Sequence, residues 1–204
     1  MPSIYDLKPR FQQALRPLTA ALHRAGISAN AVTVAALLAS TAYGAWLALC
    51  PGSRWAWGLL PAFLLVRMAL NAIDGMLARE YRQQSHLGAV LNEGGDVVAD
   101  AALYVPFALL PGAPVGLGLL VVFLAVLSEF AGVLGQVVGG GRRYDGPCGK
   151  SDRAVAFGAV ALLLGLGVPV GPALPYVFGG LALLLAATIW NRVRRALRAA
   201  TVVP

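Results

Sequence analysis

The chain has 204 residues, of which 58% are hydrophobic and 12% are charged, and its mean hydropathy is +0.72. Soluble domains carry about 25% charged residues, so this composition excludes an ordinary soluble protein and indicates a membrane domain. The formal charge is +7, but the basic residues fall in short clusters between apolar segments. Such clusters are typical of juxtamembrane segments that face anionic lipid, so we expect membrane lipid as a partner and no nucleic acid.

The first predicted element is an amphipathic helix over residues 4–25. Its apolar residues recur at spacings of three and four, with basic residues beside them. Those basic residues are Lys8, Arg10, Arg16 and Arg24. A basic amphipathic helix ahead of a first span commonly lies in the membrane interface, and packing against other protein is the alternative. We assign residues 1–27 to this interfacial helix, with Pro9 and Pro17 as candidate break points.

Six apolar segments follow, separated by glycine, proline or basic residues. Their predicted bounds are 31–50, 55–79, 88–110, 114–138, 152–168 and 174–191. A helix needs about 20 apolar residues to cross a bilayer, and most of these segments reach that length. The sequence therefore predicts an all-α integral membrane bundle of six transmembrane helices over residues 28–200. Together with the interfacial helix this bundle forms a single domain, residues 1–204.

The basic residues also predict the orientation in the membrane. Of the 16 Lys and Arg residues, all but Arg54 and Arg67 precede the first segment, follow the sixth, or lie in or at the borders of the second-to-third and fourth-to-fifth connections. Lys and Arg are enriched in cytoplasmic loops, so we expect both termini to be cytoplasmic. The connection between the second and third segments lies on that side too. We expect a protein of the bacterial inner (cytoplasmic) membrane.

An acidic stretch between residues 71 and 100 interrupts the second and third apolar segments. It includes Asp74, Glu93, Asp96 and Asp100, which are four of the nine acidic residues of the chain. Carboxylates are costly at membrane depth, so such a cluster indicates a functional site. Spacings of three and four place its oxygen-bearing side chains on one face of each helix, which suits a hard divalent cation such as Mg²⁺. The candidate metal ligands are Asn71, Asp74, Asn92 and Asp96, with Glu93 and Asp100 as further candidates.

Small residues accompany the acids. Gly75, Ala78 and Gly88 would let a helix backbone or a ligand approach closely. Arg79 lies one turn beyond Asp74 and would reach a phosphate from the interface. In the alternative interpretation, the glycines only pack helices together and Arg79 only extends its charge towards water.

This stretch resembles the signature of the CDP-alcohol phosphotransferase (CDP-alcohol phosphatidyltransferase) family. The matching run is Asp74-Gly75-x2-Ala78-Arg79-x8-Gly88-x3-Asn92-x3-Asp96, with Asn71 three residues before it. Asn30-x2-Thr33 and Gly149-Lys150 are similar to further elements of the family. The family pattern has aspartate where this chain has Asn71 and Asn92. The resemblance implies two divalent ions, Mg²⁺ or Mn²⁺, and the two amides remove two negative charges from that site. Glu93 and Asp100 could restore charge locally, so the number of metal ions is open.

The resemblance also implies a reaction in phospholipid biosynthesis. An alcohol hydroxyl would attack the β-phosphorus of a CDP-diacylglycerol-type lipid, and CMP would leave. Asp96 would act as the general base. Gly75, Ala78, Arg79 and Gly88 would line the CDP site, while Asn71, Asp74 and Asn92 would hold metal. The second substrate would be a small alcohol or phosphorylated alcohol, and the family implies a homodimer.

Polar residues outside the signature allow weaker predictions. Candidate acceptor-binding residues are Arg142, Arg143, Lys150 and Arg153, which are otherwise ordinary cytoplasmic basic residues. Arg67 is predicted to pair with an acid. Glu129 and Gln136 would line a cavity or make a buried polar contact between helices.

Two alternative functions stand beside the enzyme. The first is a catalytically silent family member that binds CDP-lipid, because two aspartates of the signature are missing. The second is a small cation-coupled transporter. A transporter predicts interrupted helices at matched places in two halves of the chain, and this sequence lacks that symmetry.

Overall fold

The computed structural model describes residues 4–200, with side chains described from Arg10 onward, and these residues contain helices but no strand. The α-helices are α1 (Ile4–Arg24), α2 (Ala29–Leu49), α3 (Arg54–Glu80), α4 (His86–Ala108), α5 (Val115–Val137), α6 (Lys150–Gly165) and α7 (Leu174–Ala199). A short 3-10 turn, Gly171–Ala173, leads into α7. Every predicted helical segment corresponds to a helix, so the all-α prediction is confirmed.

The predicted bounds differ most at the end of α7. The sequence predicts an end near residue 191, but the helix continues to Ala199. The basic residues beyond Trp190 extend the helix because two of them are bonded to protein. Arg192 is 1% exposed and donates to the Ser128 carbonyl, and Arg195 donates to the Asp145 carboxylate. At the other end of the chain, α1 is one continuous helix, so neither Pro9 nor Pro17 breaks it.

Four segments are long and apolar enough to cross a membrane. They are Ala29–Leu49, Arg54–Glu80, Val115–Val137 and Gly171–Ala199. The other two predicted spans differ for specific reasons, since α4 carries Glu93, Asp96 and Asp100 and α6 is only 16 residues long. The count of six spans therefore stays a prediction, as do the cytoplasmic termini.

The chain forms two compact units. The first consists of the described residues up to Tyr43 together with Ala62–Ala99, and it contains the first part of α4 and the second part of α3. The second consists of Gly44–Pro61 together with the described residues from Asp100 onward. The single-domain assignment of residues 1–204 stays a prediction.

The core of the first unit joins α1, α2 and α3. Its fully buried members are Ala29, Val32, Ile73 and Leu77. Leu15 and Leu22 of α1 pack against them, whereas Phe11 and Leu18 of the same helix are exposed. Helix α1 thus contacts protein along one apolar row and leaves another uncovered. Its location in the membrane interface stays a prediction, and the side chains of residues 4–9 lie outside the described part.

The second unit relies on close helix packing at small residues. A Cβ atom on Gly44 would overlap the Ala102 carbonyl, and one on Gly165 would overlap the backbone of Gly58. Small residues at such contacts let helices approach closely, which is how helices associate in membranes. Aromatic rings fill the adjacent space, with Tyr104 stacked on Phe157 at 4.1 Å between ring centroids. Steric fit therefore holds this unit together along much of its length.

Candidate functional site

Helices α2 and α3 meet at a buried carboxylate in the first unit. Asp74 is 5% exposed, and the Thr33 hydroxyl lies 2.9 Å from its Oδ2 atom and donates a hydrogen bond to it. Both residues sit in helix interiors, so their backbones are fixed and the contact is held in place. The contact joins the Asn30-x2-Thr33 element to the acidic signature, a connection that the spacing of the two motifs did not reveal.

Helix α4 contributes Asp96 to the same unit, where two side chains of α3 contact it. The Asn71 amide donates from Nδ2 to Oδ1 of Asp96 at 3.0 Å. Arg67 Nη2 lies 3.5 Å from the same oxygen and donates to the Asp96 carbonyl at 3.2 Å. Arg67 itself is 4% exposed. The prediction that Arg67 pairs with an acid is confirmed.

A side chain at either of two glycines of the signature would meet the polar end of another side chain. A Cβ atom on Gly75 would lie 2.9 Å from the Arg79 guanidinium, and one on Gly88 would lie 2.7 Å from Oδ1 of Asn30. Arg79 therefore lies over Gly75, one turn back along α3. Gly88 lies in the first turn of α4, and its N–H donates to the Ser85 hydroxyl.

The remaining signature residues lie on the same three helices. Ala78 packs partly buried against the core of the first unit, and Asn92 and Glu93 of α4 are half-buried. The Gln83 side chain, which no sequence pattern singles out, accepts a hydrogen bond from the Ala29 N–H at the start of α2. It fixes the chain after α3 to the beginning of α2. Among the candidates of the signature, the first unit brings Asn71 into contact with Asp96 and Arg79 beside Gly75.

The donor atoms of this cluster suit a hard divalent cation. Within the described residues, no group of three His, Cys, Asp or Glu side chains could hold a metal ion. The signature here supplies two carboxylates, Asp74 and Asp96, and two amide side chains, Asn71 and Asn92. Oxygen-only donors are what Mg²⁺ and Mn²⁺ prefer. The residues fit such a cation, although they supply less negative charge than four aspartates.

A second polar cluster, in the second unit, surrounds Glu129 of α5. Its carboxylate pairs with Arg142 at 2.9 Å, with Arg153 at 3.0 Å and with Arg192 at 3.3 Å. Arg153 is 1% exposed, and its Nη2 atom also lies 2.9 Å from Asp100. The Nε atom of Arg153 has no hydrogen-bond partner among the described residues. Glu129 thus makes the buried polar contact that was one of its two predicted roles.

The connection between α5 and α6 contributes a third carboxylate to this region. Asp145 accepts from Arg143 at 2.9 Å and from Arg195 at 2.6 Å. Burial alone would raise the pKa of Asp145, but the hydrogen bonds and charges of Arg195 and Arg143 outweigh it and hold that pKa below its usual range. Of the candidate acceptor-binding residues, Arg142, Arg143 and Arg153 are therefore paired with carboxylates, and Lys150 begins α6.

Sequence reasoning missed three members of this region, Asp145, Arg192 and Arg195. A signal for Arg192 was present, because the buried residues of α7 recur at helical spacing. They include Leu181, Leu185, Thr188, Arg192 and Ala196. An arginine on the buried face of an apolar helix needs an acidic partner, and Glu129 provides it. No comparable signal identifies Asp145, which lies outside any helix.

Comparison with known sequences gives two matches. Residues 27–193 match the family described as CDP-alcohol phosphatidyltransferase. The chain is also 48% identical to the inner membrane protein YnbA of Escherichia coli over 170 residues, which cover 83% of this chain and 82% of that protein.

Comparison of folds gives solved structures of the phosphatidylinositol phosphate synthase PgsA1 of Mycobacterium tuberculosis. The form with bound CDP-DAG has a TM-score of 0.73 at 21% identity, covering 88% of this chain and 92% of that one. The form in complex with manganese and citrate has a TM-score of 0.72 at 22% identity, covering 89% and 88%. At that level of identity the likeness establishes a shared fold.

Proposed function

Because the chain belongs to the CDP-alcohol phosphatidyltransferase family, we propose that it transfers a phosphatidyl or related phosphoryl group from a CDP-linked lipid to an alcohol and releases CMP. The observation that carries this proposal is the gathering of Asp74 and Asp96 with Thr33, Asn71 and Arg67 in the first unit. The CDP-DAG bound to PgsA1, which has the same fold, supports a CDP-linked lipid as donor.

Asp96 is the proposed general base. Its carboxylate accepts the proton of the attacking hydroxyl while the new oxygen–phosphorus bond forms and the bond to CMP breaks. CMP leaves with the electron pair of the broken bond. The Asn71 amide and the Arg67 guanidinium, both in contact with Asp96, hold the carboxylate in one position. Transfer reactions of this kind depend mainly on positioning and charge compensation, so a fixed base is an advantage.

Gly75, Ala78, Arg79 and Gly88 are the proposed CDP-binding residues. The Arg79 guanidinium lies beside Gly75, so a phosphate there would contact a backbone without a side chain and a fixed positive charge. Gly88 lies against Asn30, at the first turn of α4. This arrangement supports a nucleoside diphosphate as the ligand of these residues.

Asn71, Asp74, Asn92 and Asp96 are the proposed metal ligands, with Glu93 as a further candidate. A divalent cation bound there, Mg²⁺ or Mn²⁺, would neutralise charge on the pyrophosphate of the donor. Manganese in the PgsA1 structure supports this choice of ion. Asp100 is not part of the proposed set, because its carboxylate pairs with Arg153 within the second unit.

The acceptor-binding role of Arg142, Arg143, Lys150 and Arg153 also belongs to the proposal. The second unit gathers five arginines around three carboxylates, so this region has an excess of positive charge that suits an anionic acceptor. Its arginines are Arg142, Arg143, Arg153, Arg192 and Arg195, and its carboxylates are Asp100, Glu129 and Asp145. Comparison of phosphorylated and unphosphorylated forms of one alcohol would test this preference.

The setting of the reaction is a membrane. Four helices long and apolar enough to span it support a membrane-integral protein, and the inner-membrane location of the E. coli relative supports the same compartment. The clusters of Lys and Arg support an active site on the cytoplasmic side, where a water-soluble alcohol can enter. A homodimer completes the proposal by analogy with the family.

The deciding experiment measures CMP release by the purified protein in detergent. CDP-diacylglycerol, Mg²⁺ or Mn²⁺ and a pool of alcohols and alcohol phosphates are supplied. We expect metal-dependent CMP release that Asp96→Asn abolishes. Glu80→Gln, an acid-to-amide change at an exposed position of α3, is the matched control and should retain activity. Absence of release with every alcohol and metal, despite binding of CDP-diacylglycerol, would favour the catalytically silent alternative.

A further inference from the structure

Arg67 and the two amides of the signature bear on the number of metal ions at the proposed site. We infer that the proposed metal site holds one divalent cation, where the family signature provides for two. This inference rests on the proposed function. We further infer that the buried guanidinium of Arg67 supplies the positive charge that a second cation would bring to Asp96.

The first support is the balance of charge. Four aspartates would match the four positive charges of two divalent ions. Here Asn71 and Asn92 are neutral, so Asp74 and Asp96 match one divalent ion. Two divalent ions would leave a surplus of positive charge among buried helices, where uncompensated charge is costly. Half-buried Glu93 adds one further negative charge on α4. Arg67, which contacts Asp96, adds one positive charge, so the net charge of the site is unchanged by this pair.

The second support is the position of Arg67. Its side chain is 5% exposed, and Nη2 lies 3.5 Å from Oδ1 of Asp96 and 3.2 Å from the Asp96 carbonyl oxygen. The Asn71 amide nitrogen lies 3.0 Å from the same Oδ1 atom. Two hydrogen-bond donors therefore already contact one of the two carboxylate oxygens of Asp96. A dication at that oxygen would have to displace both donors and would be repelled by the guanidinium.

The origin of this arrangement lies in two successive turns of α3. Arg67, Asn71 and Asp74 follow one another at spacings of four and three, so they share a face of the helix. With aspartate at position 71, Arg67 would have had an acidic neighbour on its own helix. With asparagine there, the guanidinium contacts Asp96 on α4 and the amide donates to the same carboxylate. The Asn71 amide and the Arg67 guanidinium thus act on the same carboxylate.

The test counts manganese ions on the intact protein in detergent. Mn²⁺ bound per chain is measured by equilibrium dialysis with elemental analysis, and electron paramagnetic resonance reports whether bound ions are coupled. Ions of a two-metal site lie roughly 4 Å apart and couple strongly, whereas a single ion shows the resolved hyperfine lines of isolated Mn²⁺. We expect one ion per chain with an isolated spectrum. Two ions with a coupled spectrum, or no bound ion, would overturn the inference.

Variants test the part assigned to Arg67. In Arg67→Gln/Asn71→Asp/Asn92→Asp we expect two coupled ions per chain. Asn71→Asp/Asn92→Asp, which keeps the arginine, should bind the second ion at least tenfold more weakly. Equal affinity in the two variants would overturn the role of Arg67. Arg54→Gln, at an exposed position of the same helix, is the matched control and should bind one ion. If the triple variant fails to fold, the double variant still decides, because a second ion bound as tightly as the first overturns the role of Arg67.

The result of the ion count can be distinguished from the result of the test of the proposed function. CMP release is measured on the same preparations. A protein that binds one isolated ion but never releases CMP would contradict the enzyme and retain the ion count. A protein that releases CMP with two coupled ions would contradict the ion count and retain the enzyme.

Discussion

The Thr33 hydroxyl donates a hydrogen bond to Oδ2 of Asp74 across 2.9 Å, and this contact links two sequence elements 41 residues apart. A hydrogen bond to a charged group contributes about 1.5–3 kcal/mol. If Asp74 acts only when held in this position, Thr33→Val should lower kcat/KM for CMP release by roughly 10- to 100-fold, at 1.4 kcal/mol per tenfold. Thr33→Ser keeps the hydroxyl and should restore most of the activity.

Thr41 provides the matched control on the same helix. Its hydroxyl bonds only to carbonyls of its own helix in the described contacts, at Leu37 and Leu38. Thr41→Val should therefore leave CMP release within about twofold of the unmodified protein, since surface changes of this kind cost little. Equal losses in Thr33→Val and Thr41→Val would show that helix packing, and not the contact with Asp74, determines the effect.

Gly88 and Gly94 lie on one helix but in different surroundings. A Cβ atom on Gly88 would come within 2.7 Å of Oδ1 of Asn30, whereas a Cβ atom on Gly94 would meet nothing within 4 Å. Gly88→Ala should displace the Asn30 side chain and raise the KM for CDP-diacylglycerol several-fold. Gly94→Ala should keep that KM and stabilise the helix by up to about 1 kcal/mol, because alanine favours a helix over glycine.

Thermal unfolding in detergent distinguishes the two possible origins of the Gly88→Ala effect. Asn30 is a side chain that can move, so we expect a change of less than about 1.5 kcal/mol in stability alongside the change in KM. A large loss of stability with an unchanged KM would mean that Gly88 only packs helices.

The helices were predictable because their sequence signals are local. Apolar runs bounded by glycine, proline and basic residues place α2 to α6 within about three residues of their ends. The end of α7 was not predictable in this way. It depends on Arg192 and Arg195 finding Ser128 and Asp145, which lie 64 and 50 residues away in sequence. Helical spacing places Arg192 on the buried face of α7, but it does not identify the partner of either arginine.

For the candidate site, the sequence predicts only which residues share one face of a helix. Spacings of three and four place Asn71 and Asp74 on one helix face and Asn92 and Asp96 on another. Which side chains meet across helices depends on how the helices pack, and this decides that Arg67 contacts Asp96 and that Thr33 contacts Asp74. The prediction that Arg67 pairs with an acidic residue is confirmed, but only the structure shows that this residue is Asp96.

Two arginines with different burial should differ sharply in their effect on stability. Arg153 is 1% exposed and pairs with Asp100 and Glu129, whereas the exposed Arg16 pairs with Glu80 at 3.3 Å. Arg153→Met removes the buried arginine that Asp100 and Glu129 share and should cost about 3–5 kcal/mol. Arg16→Ala should cost less than about 1 kcal/mol. Unfolding in mixed detergent measures both.

A second substitution tests the cause of the Arg153→Met effect. If the cost comes from the uncompensated charge on Asp100, adding Asp100→Asn to Arg153→Met should recover part of the lost stability. Additive losses in the double variant would instead assign the cost to lost packing by the arginine side chain.

The Asp145 carboxylate lies outside the membrane-spanning segments, and it predicts that the stability of the protein depends on pH. Burial alone would raise its pKa, but Arg195 and Arg143 outweigh that and hold the pKa of Asp145 below its usual range. Because the pKa is lower in the folded state than in the unfolded state, the carboxylate stabilises the fold at pH values above about 4, the ordinary pKa of aspartate. That contribution is lost as the pH falls through the lowered pKa of the folded state.

Asp145→Asn should therefore lower the Tm in detergent at pH 7, and the difference from the unmodified protein should shrink as the pH falls below about 4. Other carboxylates titrate in both proteins, so the difference between them isolates Asp145. Its partners Arg143 and Arg195 stay charged throughout this range, so the change follows the carboxylate alone. A difference in Tm that stays constant from pH 7 to pH 3 would show that the two arginines hold Asp145 by packing and neutral hydrogen bonds, and that its charge adds nothing to stability.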